Sequence, residues 1–272
     1  MTQSETDTLP SQMEQQLSKG VMYIVATPIG NLQDMTLRAK DTLSNVHTII
    51  AENPQVTRKL LTHFGISTPI IPYREDNHDR VIGNIITTLK DGHSIALVSD
   101  AGTPVISDPG IKLLRECYAQ NIPVIPIPGA SAVTSAVSVF PVPSPKFVFL
   151  GFFPRQFSEF KKWFEQSQDF ILKEKVSYVA FESPHRIRKT LEGFVEFAKD
   201  LSEKYTLRIG LASEISKLHE TFLWSAPDAL LSYRENGFSL EKGEYTIVVS
   251  FVKNGKQQDD NSETEYDEDS RD

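Results

Sequence analysis

The sequence predicts an α/β protein with a mostly parallel N-terminal sheet flanked by helices, followed by a C-terminal mixed α/β domain. Three observations carry this. Short apolar runs and helical stretches alternate five times before residue 140, the pattern of a parallel sheet with helices on both faces. The apolar runs end in polar, turn-rich loops such as TPIGN (27–31) and SDAGTP (99–104). The segment Phe140-Pro141-Val142-Pro143-Ser144-Pro145 then places three prolines in six residues, a stiff linker. The predicted organisation is an N-terminal tail (1–20), a first domain (21–141), a second domain (142–252) and an acidic disordered tail (253–272).

The first predicted strand is Val21–Ala26, running into the loop Thr27–Leu32. A helix near Thr36–Asn45 and a strand over His47–Ala51 follow. Pro54 suits the first turn of the next helix, and Gly65 its stop. Thr68–Pro72 is extended, and Val81–Leu89 is helical with apolar positions 82, 85, 86 and 89. Ile95–Val98 is an uncharged strand that breaks into Ser99–Pro104 and closes at Asp108-Pro109-Gly110, before a helix bearing Leu113, Leu114 and Cys117. The prolines in Asn121–Ile127 argue against a regular central strand. PGASA (128–132) turns into a small-residue helix through Val139.

In the second half, Phe147–Arg155 opens a strand and loop, and Ser158–Leu172 is an amphipathic helix. Val176–Phe181 is a strand. Ser183-Pro184 offers a helix start, and Ile187, Leu191, Phe194 and Ala198 repeat on one helical face. Arg208–Ala212 and Glu220–Trp224 are strands, Pro227 starts a helix, and Tyr245–Val252 is the last strand.

The net charge of −8 is carried by the ends. Residues 1–20 hold −2 and residues 253–272 hold −5, leaving −1 for the body. A near-neutral body does not announce a nucleic-acid binder, yet leaves room for a local basic face. No apolar run is long enough to span a membrane. The N-terminal stretch has neither the basic start nor the apolar core of a secretory signal. A single cysteine excludes an internal disulfide. These features predict a cytoplasmic protein.

Parallel strands direct their carboxyl-end loops into one crevice, with the second domain as its other wall. The ligand is narrowed by what is missing. Neither GxGxxG nor GxxxxGK[ST] occurs, which counts against dinucleotides and ATP. No HExxH occurs, and the six histidines are scattered, so no catalytic metal is expected. Ser131 stands at a strand-to-helix turn, but GxSxG is not met. What remains is a site of hydroxyls, backbone groups and carboxylates, suited to a neutral or cationic polar ligand.

Seven segments occur in order: YIVATPIGNLQDMTLRA, SIALVSDAGTPVISDPG, IPIPGASAVTSA, FLGFFPR, FESPHRIRKTLE, KLHETF and GEYTIVV. Together they resemble the tetrapyrrole methylase superfamily, covering roughly Val21 to Val252. Within it they resemble the branch that methylates the ribose 2′-hydroxyl of a cytidine in small-subunit ribosomal RNA, near the decoding region. The resemblance implies a two-domain tetrapyrrole-methylase-like fold, S-adenosylmethionine in the inter-domain cleft, and a homodimer. It places Pro28, Asp100, Gly102, Thr103, Ile106, Ser131, Ala132, Phe152 and Phe153 at the cofactor. Small residues admit the backbone to the ligand, and aromatics can pack on adenine or face the sulfonium. Phe152 and Phe153 suit a core equally well. In one place the chain departs from the branch. An acidic pair followed by Thr-Arg is replaced after the second strand by Glu52-Asn53-Pro54-Gln55, with Arg58 a turn further on.

A ribose hydroxyl needs its proton taken, or its oxygen held, before it attacks a methyl group. Glu52, Glu182, Lys217 and His219 are the candidates, with His219 read more readily as a structural histidine than as a base. Asn31, Asp34 and Arg38 are candidates for the substrate side. Asp34 and Arg38 can also be read as an i,i+4 surface pair. Arg155, Lys161, Lys162, Arg186, Arg188 and Lys189 could form a basic rim that contacts phosphates without reading sequence. The expected partner is ribosomal RNA or the assembling small subunit, reached at a splayed-out nucleotide. Two other readings stay open: a methyltransferase for a tetrapyrrole or other small molecule, and an inactive cofactor-binding assembly protein.

Overall fold

A computed structural model describes residues 20–201, 203–234 and 238–254. Residues 1–19 of the predicted N-terminal tail, and the acidic tail beyond Asn254, lie outside the described residues.

The first half folds as predicted by its alternation. The elements are β1 (Met22–Val25), α1 (Leu37–Asn45), β2 (Thr48–Ala51), α2 (Pro54–His63) and β3 (Ile70–Pro72). They continue with α3 (His78–Lys90), β4 (Ile95–Val98), α4 (Ile111–Ala119), β5 (Val124–Ile127) and α5 (Ala132–Val139). The sheet order is β3-β2-β4-β1-β5, with every pair parallel. Central strands β2 and β4 are buried along their whole length, which is why they read as unbroken apolar runs. The proline-bearing strands take the edges, where a missing N–H costs no ladder bond. Val124–Ile127 is thus a strand, with Pro126 opposite Ile24.

Local chemistry sets the helix starts. The Thr36 side chain accepts from Ala39 N, and the Asn53 side chain accepts from Gln55 N with Pro54 at the first helical position. The departure at 53–55 is therefore a helix cap. Ala39 and Leu43 of α1 and Leu61 of α2 pack on one face of the sheet with Ile49 and Val98. Ile85 and Leu89 of α3 and Leu113 of α4 pack on the other with Ile50 and Leu97.

The second half comprises β6 (Phe147–Phe152), α6 (Phe157–Lys173), β7 (Ser177–Glu182), α7 (Ile187–Asp200), β8 (Tyr205–Ser213), β9 (Thr221–Ser225), α8 (Pro227–Ser232) and β10 (Tyr245–Lys253). Its order is β6-β7-β10-β8-β9, parallel only between β6 and β7. Helix α7 starts at Ile187, one turn later than Ser183-Pro184 suggests. Ser183 O accepts from Arg186 N and Ile187 N, so Ser183–Arg186 form a lead-in turn. An aromatic core of Phe153, Phe160, Phe194 and Phe197 fills the space between α6, α7 and the sheet. On its other face, α5 of the first half packs on Val179, Ala212 and Val248 of the second. No helix among the described residues is long and apolar enough to cross a membrane.

Candidate functional site

The loops after β1 and β4 are joined at the strands' carboxyl ends. Thr27 N donates to Gly102 O at 2.9 Å, and Gly102 N donates to Thr27 O at 3.0 Å. Gly102 has φ +75, and a Cβ there would stand 3.2 Å from Ile29 Cγ2. Both facts call for glycine. Val105 (φ 74) and Ser107 (φ 70) hold the same left-handed region without that freedom. So do Glu214 (φ 53) and Ser216 (φ 68), in the loop between β8 and β9. Among the described residues, four of the six non-glycine residues with positive φ thus lie in two loops of the two halves, the others being Asn121 and Lys175.

Between these loops lies a cleft of about 320 Å³, the size of a small-molecule site. Gly102, Thr103, Ile106, Ser131, Ala132 and Phe152 all line it. The second half contributes Phe181, Glu182, Ile215 and Tyr245. Thr103 Oγ1 donates to Ala130 O at 3.3 Å, tying the β4 loop to PGASA. Ser131 makes no side-chain cap, so the first N–H groups of α5 stay open at the cleft wall. Phe152 is 57% exposed, its ring 5.7 Å from that of Phe181.

Three expected cofactor residues stand apart from this wall. Pro28 is buried and does not line it. Asp100, in the β4 loop, does not line the cleft; desolvation pushes its carboxyl up, against the pull of the Asn53 N–H and the Arg74 guanidinium. The Phe153 ring is a correction: it is 2% exposed, with Phe160, Phe194 and Phe157 rings at 5.2, 5.3 and 5.8 Å. Neighbouring side chains at the end of β6 point to opposite sides, so one phenylalanine faces the cleft and the next the core.

A second, more open hollow of about 580 Å³ adjoins the cleft across Ile29 and Ile215. Asn31, Asp34, Ser135, Ser216, Lys217 and Glu220 give it a polar lining. Ser216 Oγ donates to Asp34, a bond between the two halves. Asn31 accepts from Gln33 N, capping a short 3₁₀ turn over Leu32–Asp34. Arg38 does not join this group: its Nη2 donates to Pro126 O at 2.8 Å, holding α1 to β5. Asp34 and Arg38 are not paired either, because extended Met35 and Thr36 interrupt the helical spacing between them.

The four proton-handling candidates separate. Glu182 is 2% exposed and saturated. Its Oε1 accepts from Ser183 N at 2.8 Å and faces Arg186 Nη2 at 2.6 Å, while Oε2 accepts from Thr190 Oγ1 at 2.7 Å. It is a structural anchor, which corrects its reading as a base. Lys217 is held as a cation, which suits holding an oxygen and not taking a proton. Burial works against its ammonium, but hydrogen bonds to Glu214 and Glu244 outweigh this and raise its pKa. The Lys217 Nζ lies 2.9 Å from Glu214 Oε1 and 3.0 Å from Glu244 Oε2. His219 is exposed outside both hollows, its carbonyl accepting from Thr221 Oγ1. Glu52 stands at the end of β2, where its carbonyl accepts from Arg74 Nε at 3.0 Å.

The predicted basic rim is partly spent. Arg186 holds Glu182, and also donates from Nη2 to Phe153 O at 3.0 Å. Lys161 Nζ pairs with Asp200 Oδ2 at 2.7 Å. Arg155, Lys162, Arg188 and Lys189 remain exposed.

Sequence reasoning missed Asp108 as a site residue, reading it only as a turn former. It lines the cleft, and burial pushes its carboxyl up to about 6. The Ser99 hydroxyl pulls the other way, and the Glu52 and Asp100 carboxylates add to the rise. Nothing short of the fold brings residues 52, 99, 100 and 108 to one place. Among the described residues, no group of three or more His, Cys, Asp or Glu is placed to hold a metal ion.

Comparison with known proteins identifies the family and the fold. The profile of the family described as tetrapyrrole (corrin/porphyrin) methylases matches residues 21–227. The chain is 40% identical over 231 residues to the ribosomal RNA small subunit methyltransferase I of Thermotoga maritima, covering 85% of this chain and 98% of that one. It is 38% identical over 244 residues to the protein of the same name in Haemophilus influenzae, covering 90% and 82%. Two solved structures share the fold at low identity. One is uroporphyrin-III-C-methyltransferase from Thermus thermophilus (TM-score 0.53, 16% identity, 85% of this chain and 94% of that one). The other is a diphthine synthase (TM-score 0.60, 12% identity, 85% and 89%).

Proposed function

Because the chain belongs to the tetrapyrrole (corrin/porphyrin) methylase family, we propose that it is an S-adenosylmethionine-dependent methyltransferase of small-subunit ribosomal RNA. The finer assignment is the ribose 2′-hydroxyl of a cytidine near the decoding region. The carrying observation is the convergence of six expected cofactor residues, from two loops of one half and a strand end of the other, on one cleft.

The cleft fits the cofactor's chemistry. Gly102 keeps its floor free of a Cβ, and Thr103, Ser131 and Ala132 offer small surfaces. The open N–H groups of α5 suit a carboxylate, and the exposed Phe152 face suits a flat base or a cation. When bound, S-adenosylmethionine supplies a methyl group on a positively charged sulfur. Ile106 and Phe181 give the cleft wall an apolar surface. The adjoining hollow of Asn31, Asp34, Ser216 and Lys217 is the substrate side, with Lys217 held in place by two carboxylates. Exposed Arg155, Arg188 and Lys189 would meet backbone phosphates.

A cytoplasmic location is part of this proposal, supported by the ribosomal RNA substrate it names. The homodimer is also part of this proposal, supported by surface apolar side chains on α4 and β5: Ile111, Tyr118 and Ile125. Light scattering checks the mass in solution.

Calorimetry with S-adenosylmethionine, and transfer of labelled methyl to purified small subunits, test the reading. Label in the ribosomal RNA, mapped to a cytidine ribose, supports it. No cofactor binding overturns it. Binding with label only in a small molecule redirects it to the tetrapyrrole branch, and binding with no transfer to an assembly role.

A further inference from the structure

Three carboxylates border the cleft: Asp108, Glu182 and Glu244. Glu182 is saturated by Ser183, Arg186 and Thr190. Glu244 Oε2 is paired with Lys217. Asp108 has no ion pair among the described residues. It sits two positions beyond Ile106, on the loop that carries Gly102 and Thr103.

We propose that the Asp108 carboxylate accepts the proton of the substrate hydroxyl that is to be methylated. The proposal rests on the methyl-transfer reading given above. In the step, the hydroxyl O–H bond breaks and its proton passes to an Asp108 carboxylate oxygen. The electron pair stays on the hydroxyl oxygen to form the new O–C bond; in the same displacement the methyl carbon's bond to the sulfonium of a bound S-adenosylmethionine would break, its electron pair going to sulfur, which would leave as a neutral thioether. Asp108 then returns the proton to solvent through the open cleft.

The loop holds this carboxylate in place. Val105 and Ser107 on its N-terminal side are in the left-handed region, and Pro109 follows it directly. A residue before proline is confined to extended conformations, so the Asp108 backbone has little freedom. Gly110, at φ +142, lets the chain turn into α4, where a Cβ would meet Val105 Cγ2 at 2.8 Å. The Ser99 hydroxyl, which donates to Ala101 O at 3.1 Å, lies against Asp108 from the β4 side.

The surroundings make it a base of suitable strength. Burial disfavours its charge, and the carboxylates of Glu52, from β2, and Asp100, from the β4 loop, do so further. The nearby cation Arg74 is engaged with Glu52 O and faces Asp100. The carboxyl titrates near 6, so it is ionised at neutral pH yet more basic than an ordinary aspartate. That poise is what general base catalysis at neutral pH requires.

The test uses the full chain and its Asp108→Asn and Asp108→Glu variants. S-adenosylmethionine affinity is measured by calorimetry, and methyl transfer to purified small subunits is followed across the acidic and neutral range. Difference infrared spectroscopy of the free protein follows carboxyl titration without substrate. Asp108→Asn is expected to bind S-adenosylmethionine within about threefold of the parent, and to lose about a hundredfold or more of the transfer rate. The acidic limb of the rate profile near pH 6, and a carboxyl band titrating there, disappear together. Asp108→Glu restores part of the rate. A rate within tenfold of the parent, a surviving limb, or no carboxyl titrating near 6 overturns the proposal. So does loss of cofactor binding in Asp108→Asn, which makes Asp108 part of the binding wall. If Asp108→Asn does not fold, Asp108→Ser carries the same comparison. A parent protein that binds no S-adenosylmethionine instead overturns the methyl-transfer reading beneath it.

Discussion

Arg186 Nη2 lies 2.6 Å from Glu182 Oε1, and the Glu182 side chain is completely buried. The pair joins the end of β7 to the turn that leads into α7, and Arg186 reaches on to Phe153 O at the end of β6. FESPHR is therefore the keystone of the cleft's second wall. Its charge is satisfied inside the fold and is not offered to a ligand.

Removing one partner of such a pair leaves a buried charge or donor unsatisfied. Glu182→Ala strands Arg186, the Ser183 N–H and the Thr190 hydroxyl together. The expected loss is about 3–5 kcal/mol, a fall in Tm on the order of 10 °C by calorimetry. An unchanged Tm would show that Glu182 is not an anchor.

Two adjacent phenylalanines give a sharper contrast. Phe153→Ala opens a cavity in the aromatic core and should cost about 3–5 kcal/mol. Phe152→Ala removes an exposed ring and should change stability by less than about 1 kcal/mol. Only Phe152→Ala should weaken S-adenosylmethionine binding while the protein stays folded. Thermal melts and calorimetry on both variants separate the roles.

Gly30 lies under the Lys217 side chain. A Cβ at Gly30 would stand 2.3 Å from Lys217 Cγ and 3.3 Å from Ile215 O. Gly30→Val should displace Lys217 from Glu214 and Glu244 and reshape the polar hollow, leaving the cofactor cleft intact. Cofactor affinity should hold within about threefold, while transfer to small subunits falls about tenfold or more. Equal loss of both would contradict the separation of the two hollows.

Asp108 also has a stability signature. Its folded pKa, about 6, is above the usual 3.8, so the folded state holds the proton more tightly than the unfolded chain. That contribution is fully present below pH 3.8 and is lost as pH rises through 6. Asp108→Asn should therefore be more stable than the parent at pH 8, by about 1 kcal/mol after allowance for solvent screening. The gain should shrink as pH falls toward 4. Melts at the two pH values check the sign, and a gain that grows on acidification would contradict it.

Gly102→Val should abolish S-adenosylmethionine binding. A branched Cβ at φ +75 is strained, and its bulk would press on Ile29 at the cleft floor. Circular dichroism should show the fold retained. Normal binding in that variant would remove the β4 loop from the site.

The sequence determined the elements and the loops. Unbroken apolar runs marked β2 and β4 because both faces of those strands are covered. The prolines of Asn121–Ile127 argued against a central strand, and β5 lies at an edge. Those signals are local, set by a residue's own backbone and nearest neighbours in the chain. What each charged side chain does was decided by tertiary structure alone. Glu182, Lys217 and Arg186 read as free chemical groups until the fold supplied their partners. Asp108 read as a turn residue until β2 and β4 brought Glu52 and Asp100 beside it. The physical reason is range: backbone preference is fixed within a few residues, whereas desolvation and charge pairing depend on whichever segments the sheet brings together.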